Sequence, residues 1–198
     1  MSALSTRRFS QAAAALALSS LLVLAPACDA GPTCEPSPAG VLIPVVDPEL
    51  WRLAEPEEDP WRTFRPADIS CPEGSRSSED FAEMPSFGVD TGLCPYTTVT
   101  QRTGSAICEG ESLYIWLWRF QLTGPEGAEA TMAVALGDAV VWEQVVPIPA
   151  RSALVAVTVP VPPTPAGTPI HFHVRNHGDN TYQLLDLARC RGTCSPGP

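Results

Sequence analysis

All three histidines of the chain fall within seven positions, in the run His171, Phe172, His173, Val174, Arg175, Asn176, His177. On a β-strand, side chains alternate between faces, so His171, His173 and Arg175 share one side while Ile170, Phe172 and Val174 point to the core. His177 then sits at the tip of the following turn, where the chain could fold it back toward the pair. Three converging imidazoles could hold Zn²⁺ or Cu²⁺ and support a metal-binding protein or metalloenzyme. The plainer reading is a polar outer strand face that runs into an Asx-type hairpin, and Arg175 on the histidine face disfavours a second cation nearby.

A second constellation is aromatic. Tyr114, Trp116, Trp118 and Phe120 recur at every second position, so on a strand they line one face. Trp116, Trp118, Trp142 and Tyr182 could form a sugar-stacking platform, because a pyranose face packs well on an indole; the same residues also serve as core filling. For a glycan, Trp118 and Tyr182 are the expected stacking residues, and Asn176, Asp179 and Asn180 the expected partners of its hydroxyls. Enzyme templates are missing from the sequence: it has no Gly-x-Ser-x-Gly elbow, no His-Glu-x-x-His and no glycine-rich nucleotide loop. The acids of the domain fall at turns or on solvent faces, so the reading leans away from an enzyme.

The elements that must position these groups are β-strands. The chain has 198 residues, 44% apolar and 17% charged, which suits one globular domain with tails. Short runs of β-branched and aromatic residues between Gly and Pro turns predict eight strands, near 86–91, 96–101, 112–122, 128–136, 139–146, 152–159, 168–176 and 181–187. Eight antiparallel strands predict an all-β sandwich or jelly roll. The run 113–118 is apolar on both faces, so its strand is either central or carries an exposed aromatic stripe.

All twelve basic residues are Arg, which excludes chemistry that needs a lysine amine. The N-terminus pairs Arg7 and Arg8 with an apolar run over 12–24 and then Ala25, Pro26, Ala27 and Cys28, which predicts a signal peptide over 1–27. Leu24, Ala25, Pro26, Ala27 and Cys28 resemble a bacterial lipobox, with Cys28 as the lipidated residue and a membrane as partner; the competing reading is an ordinary signal-peptidase site at Ala25, Pro26 and Ala27. Removing 1–27 leaves 10 Arg against 22 acids, a net charge of −12 that argues against nucleic acid as a partner. Six cysteines then remain, Cys34, Cys71, Cys94, Cys108, Cys190 and Cys194, an even set suited to three disulfides in an oxidising compartment. Cys71 with Cys94 and Cys190 with Cys194 are the expected bridges. Residues 28–60 are rich in Pro and acid and read as an extended tether. The alternative is an ordered arm packed on the domain through residues 41–46 and pinned by Cys34. The domain proper is expected over 61–190, with a tail over 191–198.

Asn180 followed by Tyr182, Gln183, Leu184, Leu185, Asp186 and Leu187 resembles the closing strand of galactose-binding-like carbohydrate modules. That resemblance implies a jelly roll and places Asp186 where the family carries an acid near a structural calcium. The loop Asn176, His177, Gly178, Asp179, Asn180 resembles that of uncharacterised exported lipoproteins of high-GC bacteria, which implies fold and address. The combined expectation is an exported, lipid-anchored protein of the periplasm or cell surface, acting as a non-enzymatic binding module. Its partner would be a glycan or another envelope protein, with no cofactor. The alternatives are a metal protein built on His171, His173 and His177, and a purely structural envelope protein.

Overall fold

The computed structural model describes residues 34–195. The expected signal peptide, the lipidation site Cys28 and residues 196–198 lie outside the described residues. Among the described residues no helix is long and apolar enough to cross a membrane.

Eleven strands form two antiparallel sheets. They are β1 (Ile43–Pro44), β2 (Arg52–Leu53), β3 (Arg76–Phe81), β4 (Met84–Asp90), β5 (Tyr96–Arg102), β6 (Ser112–Arg119), β7 (Glu129–Leu136), β8 (Ala139–Pro147), β9 (Ala153–Pro160), β10 (Pro169–Asn176) and β11 (Thr181–Cys190). One sheet runs β3-β4-β11-β6-β9, with β1 also paired to β11; the other runs β2-β5-β10-β7-β8. The core lies between their inner faces. Leu113, Ile115 and Leu117 of β6 and Leu184 and Leu187 of β11 join Met132 and Val134 of β7 and Ile170, Phe172 and Val174 of β10 in it. Strict alternation along β6, β7 and β10 produces this layering, since each sends every second apolar side chain inward. The result is an all-β sandwich consistent with a jelly roll.

The six cysteines after Cys28 pair as Cys34–Cys108, Cys71–Cys94 and Cys190–Cys194, bonds that belong to an oxidising compartment.

The segment expected to be a tether is instead part of the domain from Cys34 onward. Its prolines sit at strand edges and in a 3₁₀ turn at Pro48–Leu50, where a missing N–H is tolerated. Between them Val45, Trp51, Ala54 and Trp61 are buried. Composition alone suggested an extended chain, but these apolar residues anchor it at intervals. The Val45 N–H donates to the Leu187 carbonyl (2.8 Å) and the Gly40 N–H to the Arg191 carbonyl (2.9 Å), so the arm also engages the expected tail. Glu111 completes the seam. Its carboxylate accepts from the backbone N–H of Ser37 (2.6 Å) and of Cys108 (2.7 Å), and from Arg189 Nη1 at 3.0 Å.

Past β2, residues 54–71 cross the outer face of the five-stranded sheet as a strap. Trp61 packs against Ala133, Ala135 and Tyr96, where two alanines on β7 leave room for an indole.

Candidate functional site

The outer face of the six-stranded sheet carries the aromatic row that alternation along β6 predicts. Tyr114 is buried in a small cluster with Ala188 and Cys190, against which Leu42 and Cys194 pack. Farther along, Trp116 and Trp118 are half-buried, and Phe120 is 39% exposed. Phe81 of β3 reaches the same patch: its ring centroid lies 6.1 Å from Trp118 and 5.8 Å from Phe120. Phe120 meets Trp118 edge-on at 6.2 Å, a preferred geometry for an aromatic pair. On the other flank, β9 sets Leu154 opposite Trp118 and Ala156 opposite Trp116.

Polar groups border this row along β11. Gln183 lies opposite Trp118 on one side and Gly88 on the other. Its amide donates to Glu79 and accepts from Ser86 Oγ at 3.3 Å. A Cβ at Gly88 would come within 3.0 Å of the Gln183 amide and 3.1 Å of the Glu79 carboxylate, so glycine there makes room for the pair. A β-bulge between Leu184 and Asp186 then resets the alternation and places Asp186 opposite Trp116. Burial pushes the Asp186 carboxyl up to about 6, and a backbone hydrogen bond at Leu187 only partly offsets this. Burial also raises the Tyr114 phenol, and the charge of Asp186 adds to that. The hydroxyl of Tyr114 and the indole N–H groups of Trp116 and Trp118 are buried without a hydrogen-bond partner among the described residues. The face therefore combines partly open apolar rings with bordering carboxylates, groups that can stack on and hydrogen-bond a polyhydroxylated ring.

The residues expected to bind a glycan do not assemble. Trp118 is in the aromatic row, but Tyr182 projects from the opposite face of β11 and is fully buried in the core. Its hydroxyl accepts from Asn176 Nδ2 at 3.0 Å. Asn176 and Asn180 are buried too, and their amides hold the β10–β11 hairpin in place. Asn176 also donates to Thr91 Oγ1 (3.2 Å), while Asn180 donates to the Thr123 carbonyl (2.9 Å) and accepts from the Thr123 N–H (2.7 Å). A Cβ on Gly178 would run into the Thr123 carbonyl oxygen, so glycine is required for this close approach. Only Asp179 of that loop's acceptors is exposed, and it points toward Gly92 at the end of β4. Trp142 packs on the core side of β8. Sequence reasoning missed Phe81 and Glu79, because β3 is a polar edge strand with no apolar alternation.

The histidines do not form a metal centre. His171 and His173 share the outer face of β10 as expected, but both are buried, whereas His177 is exposed at the hairpin. The His173 ring stacks on Trp61 of the strap (4.6 Å between centroids) and meets Tyr96 edge-on (4.8 Å). Arg175, between His173 and His177 in sequence, lies 5.0 Å above the Phe64 ring. Among the described residues no three His, Cys, Asp or Glu side chains gather to hold a metal. The strap is instead fixed by buried Asp59, which accepts from Tyr96 Oη (2.7 Å), Thr98 Oγ1 (3.0 Å) and the Trp61 N–H (2.9 Å). Thr98 directs its one proton to Asp59, so the 2.8 Å contact with His173 assigns the proton to His173 Nδ1. Burial drives His173 down to about 3 and keeps the ring neutral.

Asp186 does not suit calcium either. Ca²⁺ takes about six to eight oxygen ligands, and the cross-strand neighbour of Asp186 is an indole.

The fold and this face define a two-sheet β-sandwich with an aromatic, polar-bordered outer surface. No family model matches the chain, and no curated protein matches it. Similar solved structures include a carbohydrate-binding module described for specific mannan recognition, at 9% identity over 77% of this chain and 98% of that one, with a TM-score of 0.47. A family 30 carbohydrate-binding module of a Clostridium thermocellum cellulosomal cellulase matches at 9% identity over 63% of this chain and 86% of that one, TM-score 0.37. The K3 adhesin domain of Lys-gingipain from Porphyromonas gingivalis matches at 12% identity over 58% and 78%, TM-score 0.37.

Proposed function

We propose that the protein is an exported, non-enzymatic carbohydrate-binding module that holds a glycan chain on the outer face of its six-stranded sheet. The observation that carries this reading is the row of Trp116, Trp118, Phe120 and Phe81, partly open to solvent and bordered by Glu79, Gln183 and Asp186. Consecutive sugars would lie along β6, stacked on the indoles, with their hydroxyls reaching the polar side chains of β11 and β3. Trp118 is half-buried and lies outside the main core, so Trp118→Ala should fold. Retention on polysaccharide-containing native gels should drop at least about tenfold, as expected when a central aromatic anchor is truncated. Retention equal to wild type across a panel of neutral, acidic and amino polysaccharides would sink the proposal.

The address follows the same reading. Six paired cysteines support folding in an oxidising compartment, and we place the lipid anchor at Cys28. Intact mass of the protein purified from its own envelope should give a chain that starts at Cys28 and carries acyl groups. A chain without acyl mass would remove the anchor while leaving the glycan reading intact.

A further inference from the structure

We propose that the aromatic face selects a glycan whose sugars carry a protonated amine, with the ammonium seated between the Asp186 carboxylate and the Trp116 indole. This rests on the glycan reading above and assigns its substrate class. Three observations point to it.

The first is the position of Asp186. The bulge at Leu184 and Asp186 turns this carboxylate onto the aromatic face, directly opposite Trp116, where a regular strand would have continued its alternation. Bulges commonly re-aim a side chain next to a functional site. The second is the missing counter-charge. Among the described residues no side chain hydrogen-bonds Asp186, and the sheet offers it no cation. The chain contains no lysine. The arginines on these strands, Arg76, Arg119 and Arg189, pair in register with Val89, Tyr182 and Leu113, which are core residues, so alternation directs them away from this face. The other charged residues that alternation places there, Glu79 and Asp90, are also acids. A partly buried carboxylate without a cation is costly, and a ligand ammonium would supply the missing charge. The third is the surroundings. Tyr114, 2% exposed with an unpartnered hydroxyl, senses the charge of Asp186 from the neighbouring strand position, and Trp116 offers an indole face. Aromatic faces next to a carboxylate attract a cation through the ring quadrupole. Three acids on one face also repel uronic acids, so anionic glycans are disfavoured.

The test uses two soluble probes, a glucosamine hexasaccharide and its fully N-acetylated counterpart, titrated calorimetrically just above pH 6, where Asp186 is ionised and the amines still carry protons. The wild type should bind the free-amine form about tenfold more tightly. Asp186→Asn should bring the two affinities within about twofold, while Trp118→Ala should weaken both. Glu57→Gln, an exposed strap residue away from the face, removes the same charge and should leave the preference unchanged. Indifference of the wild type to the amine, with Trp118-dependent binding to either probe or to neutral mannan, would overturn amine selection and leave the platform standing. Equal losses in Glu57→Gln and Asp186→Asn would mean diffuse attraction to an acidic protein and would also overturn it. If no glycan shows Trp118-dependent binding, the platform fails and the amine inference fails with it.

Discussion

Replacing Glu111 by alanine is expected to lower the stability of the protein by about 3 kcal/mol, the range found when one partner of a buried ion pair is removed. The size follows from what the carboxylate does. It is the common acceptor for two backbone N–H groups on either side of the Cys34–Cys108 bridge, and it neutralises Arg189, whose side chain is 12% exposed. Burial alone would raise its proton affinity, yet the hydrogen bonds from Ser37, Cys108 and Arg189 hold it down at about 2. Alanine would leave Arg189 and both N–H groups unpaired at once. For a domain of this size the thermal midpoint should fall by roughly 6–12 °C, and Glu111→Gln, which keeps an acceptor but loses the charge, should fall between. A shift of less than about 2 °C in Glu111→Ala would mean that the disulfide holds the arm without help.

The second large effect is a dependence on pH that His173 imposes. Its ring is neutral in the folded protein down to about 3, against an ordinary value of 6.5, because burial beneath Trp61 outweighs the attraction of Asp59. Below pH 6.5 the unfolded chain takes up a proton that the folded one refuses. Stability from this group is therefore complete above 6.5 and is lost progressively as the pH falls toward 3. Between pH 7 and pH 5 the loss is about 2 kcal/mol. His171, lowered by its own burial, acts in the same direction. Asp186 acts in the opposite sense. Raised from 3.8 to about 6, it favours the folded state as the pH drops through that window. Urea denaturation of wild type and His173→Asn at both pH values separates the terms, since any cavity left by the ring affects both measurements alike. The variant should lose about 2 kcal/mol less on acidification, and parallel losses would refute the assignment.

Much of this architecture was legible in the chain. All eight expected strands are present, and the inward residues of β7 and β10 follow the period of two. Two disulfides, Cys71–Cys94 and Cys190–Cys194, also match expectation. The failures have physical causes. β3 has no apolar alternation because it is an edge strand with a largely exposed surface, so no strand is expected over Arg76–Phe81. The arm looked like a tether because prolines dominated its composition, while its buried anchors are spaced without helical or strand period. Tyr182 was placed beside Trp118 although the two occupy opposite faces, since strand pairing register cannot be read from one segment alone. The polar loop from Asn176 to Asn180 suggested ligand contacts; its amides are used on Thr91, Thr123 and Tyr182, long-range partners invisible to local pattern. Trp116 and Trp118 themselves were visible, but whether their strand was wholly buried depended on what packs over its outer side.

The strap across the five-stranded sheet sets the valence of the molecule. With Trp61 seated over His173, Ala133 and Ala135, the chain itself takes up the centre of that face, and the proposed glycan row lies on the other sheet. One molecule would then decorate a glycan strand without bridging two. On the proposed lipid anchor, any avidity would arise from many copies held side by side in a membrane, at an effective concentration fixed by their surface density rather than by a second site in the fold.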